Sequence, residues 1–272
     1  MAQDTGKFRT NTKDQYYTKS TIAKGCIDSI LEKCPETLQY QWIEPSAGNG
    51  SFLKALPATI QSIGIDLDPK MDGVLKGDFL TWEPSSEIKR VFFGNPPFGK
   101  QGSLAKSFIQ HASKYADLIA FILPRSFVKP SMSRAFPPKF HCIMEEELPK
   151  DSFEVNQVAY DVPCIFQIWQ KKSEDRPTTV SVKETGFHYV KVSEDFHLVI
   201  RRVGAKAGMC HLKSDKQFNS QTHYFLKLDN QVKSQMLLDA INKHVFPSNT
   251  VGPRSLSKSE INEVINRLLV SV

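Results

Sequence analysis

Four consecutive residues, Asn95, Pro96, Pro97 and Phe98, offer the most informative chemistry in the sequence. They follow an apolar run at residues 91–94 that has the pattern of a buried strand. Two adjacent prolines cannot donate to a sheet and favour an extended backbone, so the strand end holds the Asn95 amide and the Pro96 carbonyl rigidly. These two acceptors suit both N–H bonds of a planar amino compound whose ring stacks on Phe98. The alternative interpretation is a proline-rich turn after a core strand.

A second strand end is predicted upstream, where residues 42–50 read Trp-Ile-Glu-Pro-Ser-Ala-Gly-Asn-Gly. The apolar start predicts a strand, and the small residues that follow predict a turn in which a ligand can lie against the backbone, as in nucleotide-binding α/β folds. The turn lacks the Gly-Lys-Ser/Thr of phosphate loops, and Glu44 favours a cation or an ammonium group over an anion. The next predicted strand, residues 62–66, ends in Asp66, a position from which a carboxylate binds a ribose diol.

With these segments in place, the chain resembles class I S-adenosylmethionine-dependent methyltransferases of the N6-adenine type, with the motif order of the gamma subgroup. The resemblance covers roughly residues 13–172. It implies an α/β fold, with a Rossmann-like sheet of seven strands and helices on both faces. It also implies that S-adenosylmethionine is the cofactor and that residues 95–98 are catalytic, because they position the target amine. The cofactor is the electrophile, so neither a metal ion nor a covalent nucleophile is needed.

The resemblance implies a role for each segment near the cofactor. The glycine-containing turn holds the methionine part, and Asp66 binds the ribose, with Asp68 as the alternative. The Asp-Phe pair places Asp78 on the amino group of the cofactor adenine and Phe79 against its ring. The full implied set of cofactor-binding residues is Tyr17, Thr18, Glu44, Pro45, Ala47, Gly48, Gly50, Asp66, Asp78, Phe79 and Asn95.

Tyr17 and Thr18 precede a helix predicted at about residues 20–33, and they resemble the end of the family's first cofactor motif. Thr18 or Ser20 as the helix N-cap is the alternative interpretation, because serine and threonine side chains satisfy the first N–H groups of a helix. Cofactor contact is the interpretation that we favour.

Further residues are implied on the substrate side. Phe153, ahead of a strand predicted at residues 162–169, resembles the aromatic residue that sandwiches a target base against Phe98. Residues 129–139 follow a strand predicted at residues 118–124, and their prolines and basic residues predict a mobile segment that closes over the target nucleotide. A plain connecting loop is the alternative. The full set of predicted substrate-binding residues is Phe98, Phe153, Arg125, Arg134, Arg201 and Arg202.

A polar, charged stretch at residues 171–179 predicts a domain boundary. The catalytic domain is expected at residues 1–172 and a small α+β module at residues 173–272. That module carries 14 of the 35 lysines and arginines but only 10 of the 29 acidic residues. Arg201 and Arg202 stand before a predicted glycine-containing hairpin, which favours contact with a phosphate backbone and hence a target-recognition role. A solvated loop is the alternative.

Composition agrees with an intracellular enzyme that acts on nucleic acid. The five cysteines include no Cys-x-x-Cys pair, which predicts a reducing compartment, cytoplasmic or nuclear, and no structural zinc. No stretch has the length and apolarity of a membrane span, and the N-terminus lacks the apolar region of a signal peptide, so no membrane partner is expected. The sequence shows no heptad repeat and predicts no oligomeric state.

The sequence therefore predicts methyl transfer to the N6 amino group of adenine in DNA, on a base flipped out of the helix. RNA is the alternative substrate, because Phe98 replaces the usual tyrosine, as in RNA-modifying relatives, and the C-terminal module is small. A protein glutamine is less favoured, since those relatives carry a helical domain before the glycine motif. A non-catalytic nucleic-acid-binding subunit is a further alternative, against which Asn95 and Glu44 argue.

Overall fold

The computed structural model describes residues 16–85, 88–155, 158–177, 182–214, 218–230, 234–246 and 254–271. The chain forms two compact units, Met1–Pro177 and Thr178–Val272. The predicted boundary after residue 172 lies near the end of the first unit. The functions expected for the two parts stay predictions.

The first unit alternates strands and helices in the way that its hydrophobic pattern predicts. Three-residue to five-residue 3₁₀ turns connect several of them, at Pro35–Gln39, Phe79–Thr81, Lys100–Gly102 and Arg125–Val128. The elements in chain order are β1 (Tyr17–Thr18), α1 (Ser20–Lys33), β2 (Gln41–Glu44), α2 (Ser51–Ala55), β3 (Ser62–Asp66), β4 (Leu75–Lys76), β5 (Arg90–Gly94), α3 (Ser103–Ala112), β6 (Leu118–Pro124), α4 (Pro130–Ser133), β7 (Phe140–Glu147), β8 (Phe153–Val155), β9 (Val158–Tyr160) and β10 (Cys164–Lys171).

Seven of these strands form one mixed sheet in the order β4-β3-β2-β5-β6-β10-β7. The strands from β4 to β6 are parallel, and β10 is antiparallel to both β6 and β7. The predicted fold class, α/β with a Rossmann-like sheet of seven strands, is confirmed. A separate small sheet has the order β1-β8-β9 and joins the N-terminal strand to the segment that precedes β10.

The centre of the sheet is apolar on both faces, as expected for parallel strands covered by helices. Every residue of β5 and β6 is buried. Trp42 and Phe52 both pack edge-on against Phe93, with ring centroids 5.1 and 6.1 Å apart. Burying each such side chain stabilises the fold by about 2–3 kcal/mol, so the strands that carry the site residues are rigid.

The order of the sheet changes direction between β2 and β5. From β2 the chain crosses through α2 to β3 on one side, and from β5 it crosses through α3 to β6 on the other side. Parallel crossovers are right-handed, so α2 and α3 lie on opposite faces of the sheet. This topology predicts a crevice between them at the carboxyl ends of β2 and β5, which is where open α/β sheets bind ligands.

The segment at residues 129–139 is anchored to the first unit at its C-terminal half, and its predicted closure over the target nucleotide stays a prediction. Phe136 is buried and stacks on Trp169, with ring centroids 4.0 Å apart. The guanidinium of Arg176 holds the same segment, because it donates hydrogen bonds to four backbone carbonyls. These acceptors are the carbonyl oxygens of Ser133, Phe136, Pro137 and Phe140, at 2.6 to 2.9 Å.

The second unit has its own sheet and its own core. Its described elements are β11 (Phe187–Val190), β12 (Leu198–Arg201), β13 (Cys210–Leu212), β14 (His223–Leu228), α5 (Ser234–Lys243) and α6 (Lys258–Ser271), with the antiparallel sheet order β11-β14-β12-β13. The predicted hairpin is confirmed as the pair β12 and β13. Ser257 and Glu260 form a capping box at the start of α6, where the Glu260 carboxylate accepts from the Ser257 N–H at 2.8 Å.

Within the ranges given above, neither unit contains a helix long and apolar enough to span a membrane.

Replacing Arg176 by alanine should lower the free energy of unfolding by about 3 kcal/mol, because four buried or half-buried carbonyls lose a charged donor. The Arg176→Lys variant should recover only part of this, since an ammonium group lacks the planar fork of donors. Urea denaturation measures both. Arg134→Ala is the matched control: Arg134 is exposed and donates one hydrogen bond, to the Ser131 carbonyl at 3.3 Å. Equal losses of unfolding free energy in the two alanine variants would contradict the role of Arg176 in anchoring these carbonyls.

Candidate active site

Glu44 ends β2 at the crevice, and its side chain is only 2% exposed. Its Oε2 atom is buried and accepts no hydrogen bond from any residue that the structure describes. Burial raises the pKa of Glu44 well above its ordinary value of 4.5, a hydrogen bond from the Leu53 backbone lowers it, and the nearby Asp66 raises it further. A buried carboxyl group with a free acceptor atom is suited to bind an ammonium or another cationic group.

The turn after β2 brings backbone rather than side chains to the crevice. Gly48 and Gly50 have φ angles of +50° and +74°, which favour glycine. A Cβ on Gly48 would lie 3.2 Å from the ring of Tyr17, and a Cβ on Gly50 would overlap the sulfur of Met71. Larger residues at these two positions would therefore displace the side chains that cover the turn.

Asp66, at the end of β3, is tied to this turn. Its Oδ2 atom accepts a hydrogen bond from the Gly48 N–H at 2.7 Å, and its Oδ1 atom accepts from the Asp68 N–H at 2.8 Å. Each carboxylate oxygen keeps a second lone pair for a ligand hydroxyl. The alternative residue, Asp68, is exposed and forms an ion pair with Lys70 at 2.8 Å. The geometry therefore favours Asp66 over Asp68 as the carboxylate of the crevice.

Asn95 follows β5 directly and is held from two directions. Its Nδ2 atom donates to the carbonyl of Tyr16 at 3.2 Å, and its backbone carbonyl accepts from the Ser46 hydroxyl at 3.0 Å. Its Oδ1 atom is buried and has no hydrogen-bond partner in the described part of the chain. Because the Nδ2 bond fixes which way the amide points, Oδ1 is an oriented acceptor.

Two features fix the backbone on either side of Asn95. Gly94 has a φ of +119°, and a Cβ there would lie 3.1 Å from Cγ of Glu44, so β2 and β5 approach closely at this point. The carbonyl of Phe98 accepts from the N–H groups of Leu104 and Ala105, at 3.2 and 3.3 Å, in the first turn of α3. Pro96 is buried and Pro97 half-buried between these two anchors.

Two predicted aromatic contacts are corrected by the packing. Phe79 is 2% exposed, and its ring is surrounded by Phe92, Phe108 and His111 at centroid distances of 4.9 to 5.8 Å. Phe153 is 1% exposed and pairs with Thr18 across the small sheet. Both rings fill the core, so neither presents a face to a cofactor adenine or a target base.

Asp78 caps the turn at Phe79–Thr81 rather than pointing into the core. Its Oδ1 atom accepts from the Leu80 N–H at 2.9 Å, and the side chain is exposed. This leaves Oδ2 available, so its predicted contact with the cofactor amino group stays a prediction.

The segment before α1 lies over the crevice. Tyr17 covers Gly48, and Thr18 is buried, with an Oγ1 atom that has no partner among the described residues. The N-cap of α1 is Lys19, and no side chain caps the helix. The alternative interpretation, in which Thr18 or Ser20 caps the helix, is therefore wrong.

The four predicted arginines are engaged locally. Arg125 forms an ion pair with Glu147 at 2.7 Å. Arg134 Nε donates a hydrogen bond to the Ser131 carbonyl in α4 at 3.3 Å. In the second unit, Arg201 Nε donates to the Val203 carbonyl at 3.0 Å, and the Arg202 guanidinium lies 5.0 Å from the Tyr224 ring centroid. Each has a structural role, and contact with nucleic acid stays a prediction.

The residues of the crevice fit the cofactor that the resemblance implies. Three buried oxygens without partners in the described chain lie on the segments expected to hold it: Thr18 Oγ1, Glu44 Oε2 and Asn95 Oδ1. All three can accept hydrogen bonds, which matches a ligand that carries an ammonium group and hydroxyls. In the described ranges, no three His, Cys, Asp or Glu side chains are grouped so that they could hold a metal ion.

Three residues of the site were not predicted. Ser46 was treated only as a small residue of the turn, although its hydroxyl reaches across to residue 95. Met71 carried no chemical pattern, and Tyr16 was noted only as part of the aromatic segment before α1, not as a hydrogen-bond partner of Asn95. Ser46 and Tyr16 lie 49 and 79 positions before Asn95 in the sequence. Contacts over such separations leave no periodic signal, and only the fold brings these residues together.

No protein-family model matches the chain, and no curated protein matches its sequence. Three solved structures are similar to it. A candidate RNA methyltransferase from Pyrococcus horikoshii is 16% identical, with a TM-score of 0.48, over 60% of this chain and 90% of its own. A type I restriction-modification methyltransferase subunit from Streptococcus thermophilus is 14% identical, with a TM-score of 0.45, over 97% of this chain and 60% of its own. The M protein of the type I restriction enzyme EcoKI is 17% identical, with a TM-score of 0.42, over 60% of this chain and 45% of its own. We take nothing about activity from similarities at this level.

The raised pKa of Glu44 predicts how stability depends on pH. The folded state holds the Glu44 proton more tightly than the unfolded state, so this group reduces stability as the pH rises from 4.5 towards its raised pKa. The Glu44→Gln variant lacks this titration. Its free energy of unfolding should therefore increase relative to wild type as the pH rises above 4.5. Urea denaturation across this range measures the difference, and a difference that is constant with pH would contradict the burial of a titrating carboxyl.

Proposed function

We propose that the chain is an S-adenosylmethionine-dependent methyltransferase that methylates the N6 amino group of adenine in DNA. The observation that supports this most directly is the Asn95 amide. Its Nδ2 atom is held by the Tyr16 carbonyl, and its Oδ1 atom is buried without a partner among the described residues. Leaving a buried acceptor unsatisfied costs about 1–3 kcal/mol, and a ligand N–H group would offset this cost.

The proposed binding sites for the cofactor and the substrate lie side by side in the crevice. Glu44 would bind the ammonium group of the methionine part, with the backbone of Gly48 and Gly50 beneath it and Tyr17 above. Asp66 would bind the ribose hydroxyls with its remaining lone pairs. These roles use the chemistry of each group: a buried carboxyl favours a cation, and carboxyl oxygens at a strand end accept hydrogen bonds from hydroxyl donors.

The chain's own residues would act on the lone pair of the target nitrogen. An amino nitrogen conjugated to a ring is a weak nucleophile, because its lone pair is delocalised. Asn95 Oδ1 and the Pro96 carbonyl would accept its two N–H bonds and favour a more tetrahedral nitrogen, in line for transfer. S-adenosylmethionine, when bound, supplies the electrophilic methyl group. The target nitrogen would take up this methyl group in place of one of its protons, and that proton would leave to solvent after transfer.

Phe98 would support the target ring. Its carbonyl is fixed by the first turn of α3, so the backbone from which the ring projects is held in place. Its side chain also belongs to the core of the first unit, but it is 9% exposed, against 2% for Phe79 and 1% for Phe153. With Phe153 in the core, Phe98 is the aromatic residue of the site from which we expect stacking, and a flipped base regains part of its lost stacking energy there.

DNA is the substrate that we propose, on the basis of the basic second unit and its confirmed hairpin. RNA is the alternative, favoured by phenylalanine at position 98 and by the modest size of the second unit. A non-catalytic role is disfavoured, because a subunit relieved of chemistry would have no need for an unsatisfied Asn95 Oδ1 and a buried Glu44 carboxyl.

Methyl transfer from labelled S-adenosylmethionine to matched double-stranded DNA, single-stranded DNA and structured RNA, followed by nucleoside analysis, tests this proposal. We expect N6-methyladenine in DNA. Asn95→Ala should reduce kcat by about 10²–10³-fold, because an oriented acceptor is lost. Asn266→Ala makes the same chemical change in α6 and should have no such effect.

Methylated adenosine in RNA alone would select the alternative substrate. Cofactor binding without transfer to any nucleic acid would contradict the proposal.

A further inference from the structure

We propose that Ser46 is a positioning residue for Asn95, so that the turn expected to hold the cofactor also orients the amide expected to bind the target amine. This inference rests on the proposed function for its catalytic consequence. It rests on the structure alone for the contact itself, which is a hydrogen bond from the Ser46 hydroxyl to the Asn95 carbonyl at 3.0 Å.

Backbone pairing cannot hold Asn95 in place. The parallel ladder between β2 and β5 ends with the pair Ile43 and Phe92, and the ladder between β5 and β6 ends at Gly94. Gly94 then leaves the strand conformation, with a φ of +119°. Asn95 thus lies beyond both ladders, where Pro96 restricts it to an extended conformation but supplies no hydrogen bond to its carbonyl.

The Ser46 hydroxyl supplies this hydrogen bond from the β2 side. It binds the peptide carbonyl of Asn95, while the Tyr16 carbonyl binds the end of the side chain through Nδ2 at 3.2 Å. These bonds fix the Asn95 residue at its backbone and at its amide. The atom left over is Oδ1, the acceptor that the proposed reaction needs.

The hydroxyl of Ser46 differs from that of Ser51, the first residue of α2. Ser51 Oγ donates to the Oδ1 atom of Asn49 at 2.7 Å, so its bond stays within residues 49–51. Ser46 Oγ instead crosses to the neighbouring strand end. Both residues are half-buried serines that follow β2, which makes Ser51→Ala a matched control for Ser46→Ala.

Removing the Ser46 hydroxyl should misplace the acceptor without removing any atom that touches cofactor or substrate. A displacement of the order of 1 Å can cost up to about a hundredfold in rate. We therefore expect Ser46→Ala to lower kcat by about tenfold to a hundredfold, with the dissociation constant for S-adenosylmethionine changed less than about threefold. Ser46→Thr keeps a hydroxyl and should recover most of the rate. Ser51→Ala should leave kcat within about threefold of wild type.

The experiment combines two readouts on the full chain. Calorimetry with S-adenosylmethionine and steady-state methyl transfer separate cofactor affinity from kcat. The side-chain amide signals of Asn95 in ¹H–¹⁵N spectra, assigned by their loss in Asn95→Ala, report the position of the amide whether or not the protein transfers methyl groups. We expect Ser46→Ala to shift these signals and Ser51→Ala to leave them in place.

Shifted signals together with a selective loss of kcat in Ser46→Ala would support the proposal. Unchanged Asn95 signals in Ser46→Ala would overturn it, whatever the activity. Shifted signals with an unchanged kcat would also overturn it, because the hydrogen bond would then not position the reaction. A wild-type protein that transfers no methyl group would refute the proposed function, while the amide signals would still decide whether Ser46 holds Asn95.

Discussion

The burial of the Glu44 carboxyl group at the end of β2 is the constraint on which the site depends. The close approach of β5 at Gly94 excludes water from this carboxyl, and one hydrogen bond from the Leu53 backbone satisfies it only in part. Without a cation nearby, such a group is held protonated and costs stability as the pH rises. The fold tolerates this cost at the one edge of the sheet where ligands are expected to bind.

The same close approach links the two halves of the crevice. Because β2 and β5 are neighbours, the turn after β2 can reach the residue after β5, and the Ser46 hydroxyl does so. Tyr16 reaches Asn95 from the segment before α1, whose strand pairs with β8. Segments far apart in sequence thus hold the Asn95 residue in place, and we expect a change in either of them to alter the orientation of its amide.

Hydrophobic patterning was sufficient to predict individual strands, since β3 and β6 were expected at residues 62–66 and 118–124 and lie there, whereas the seven-stranded sheet was implied by the family resemblance. The patterning could not predict which aromatic rings face the crevice. Phe79 and Phe153 follow the motif positions, yet both are core side chains, because residue type does not tell which way a ring points. The anchoring of residues 133–140 was missed for a related reason: its anchor, Arg176, is remote in sequence.

The backbone after Phe98 shows how its position is maintained. Gly99, Gln101 and Gly102 have φ angles of 65°, 55° and 72°, so three of the four residues before α3 are in the left-handed half of conformational space. For Gln101 this conformation costs free energy, since its side chain disfavours it. That cost is offset where the turn lets the first N–H groups of α3 bind the Phe98 carbonyl. A strained turn therefore fixes the backbone from which the Phe98 ring projects, which is what a stacking surface for a flipped base requires.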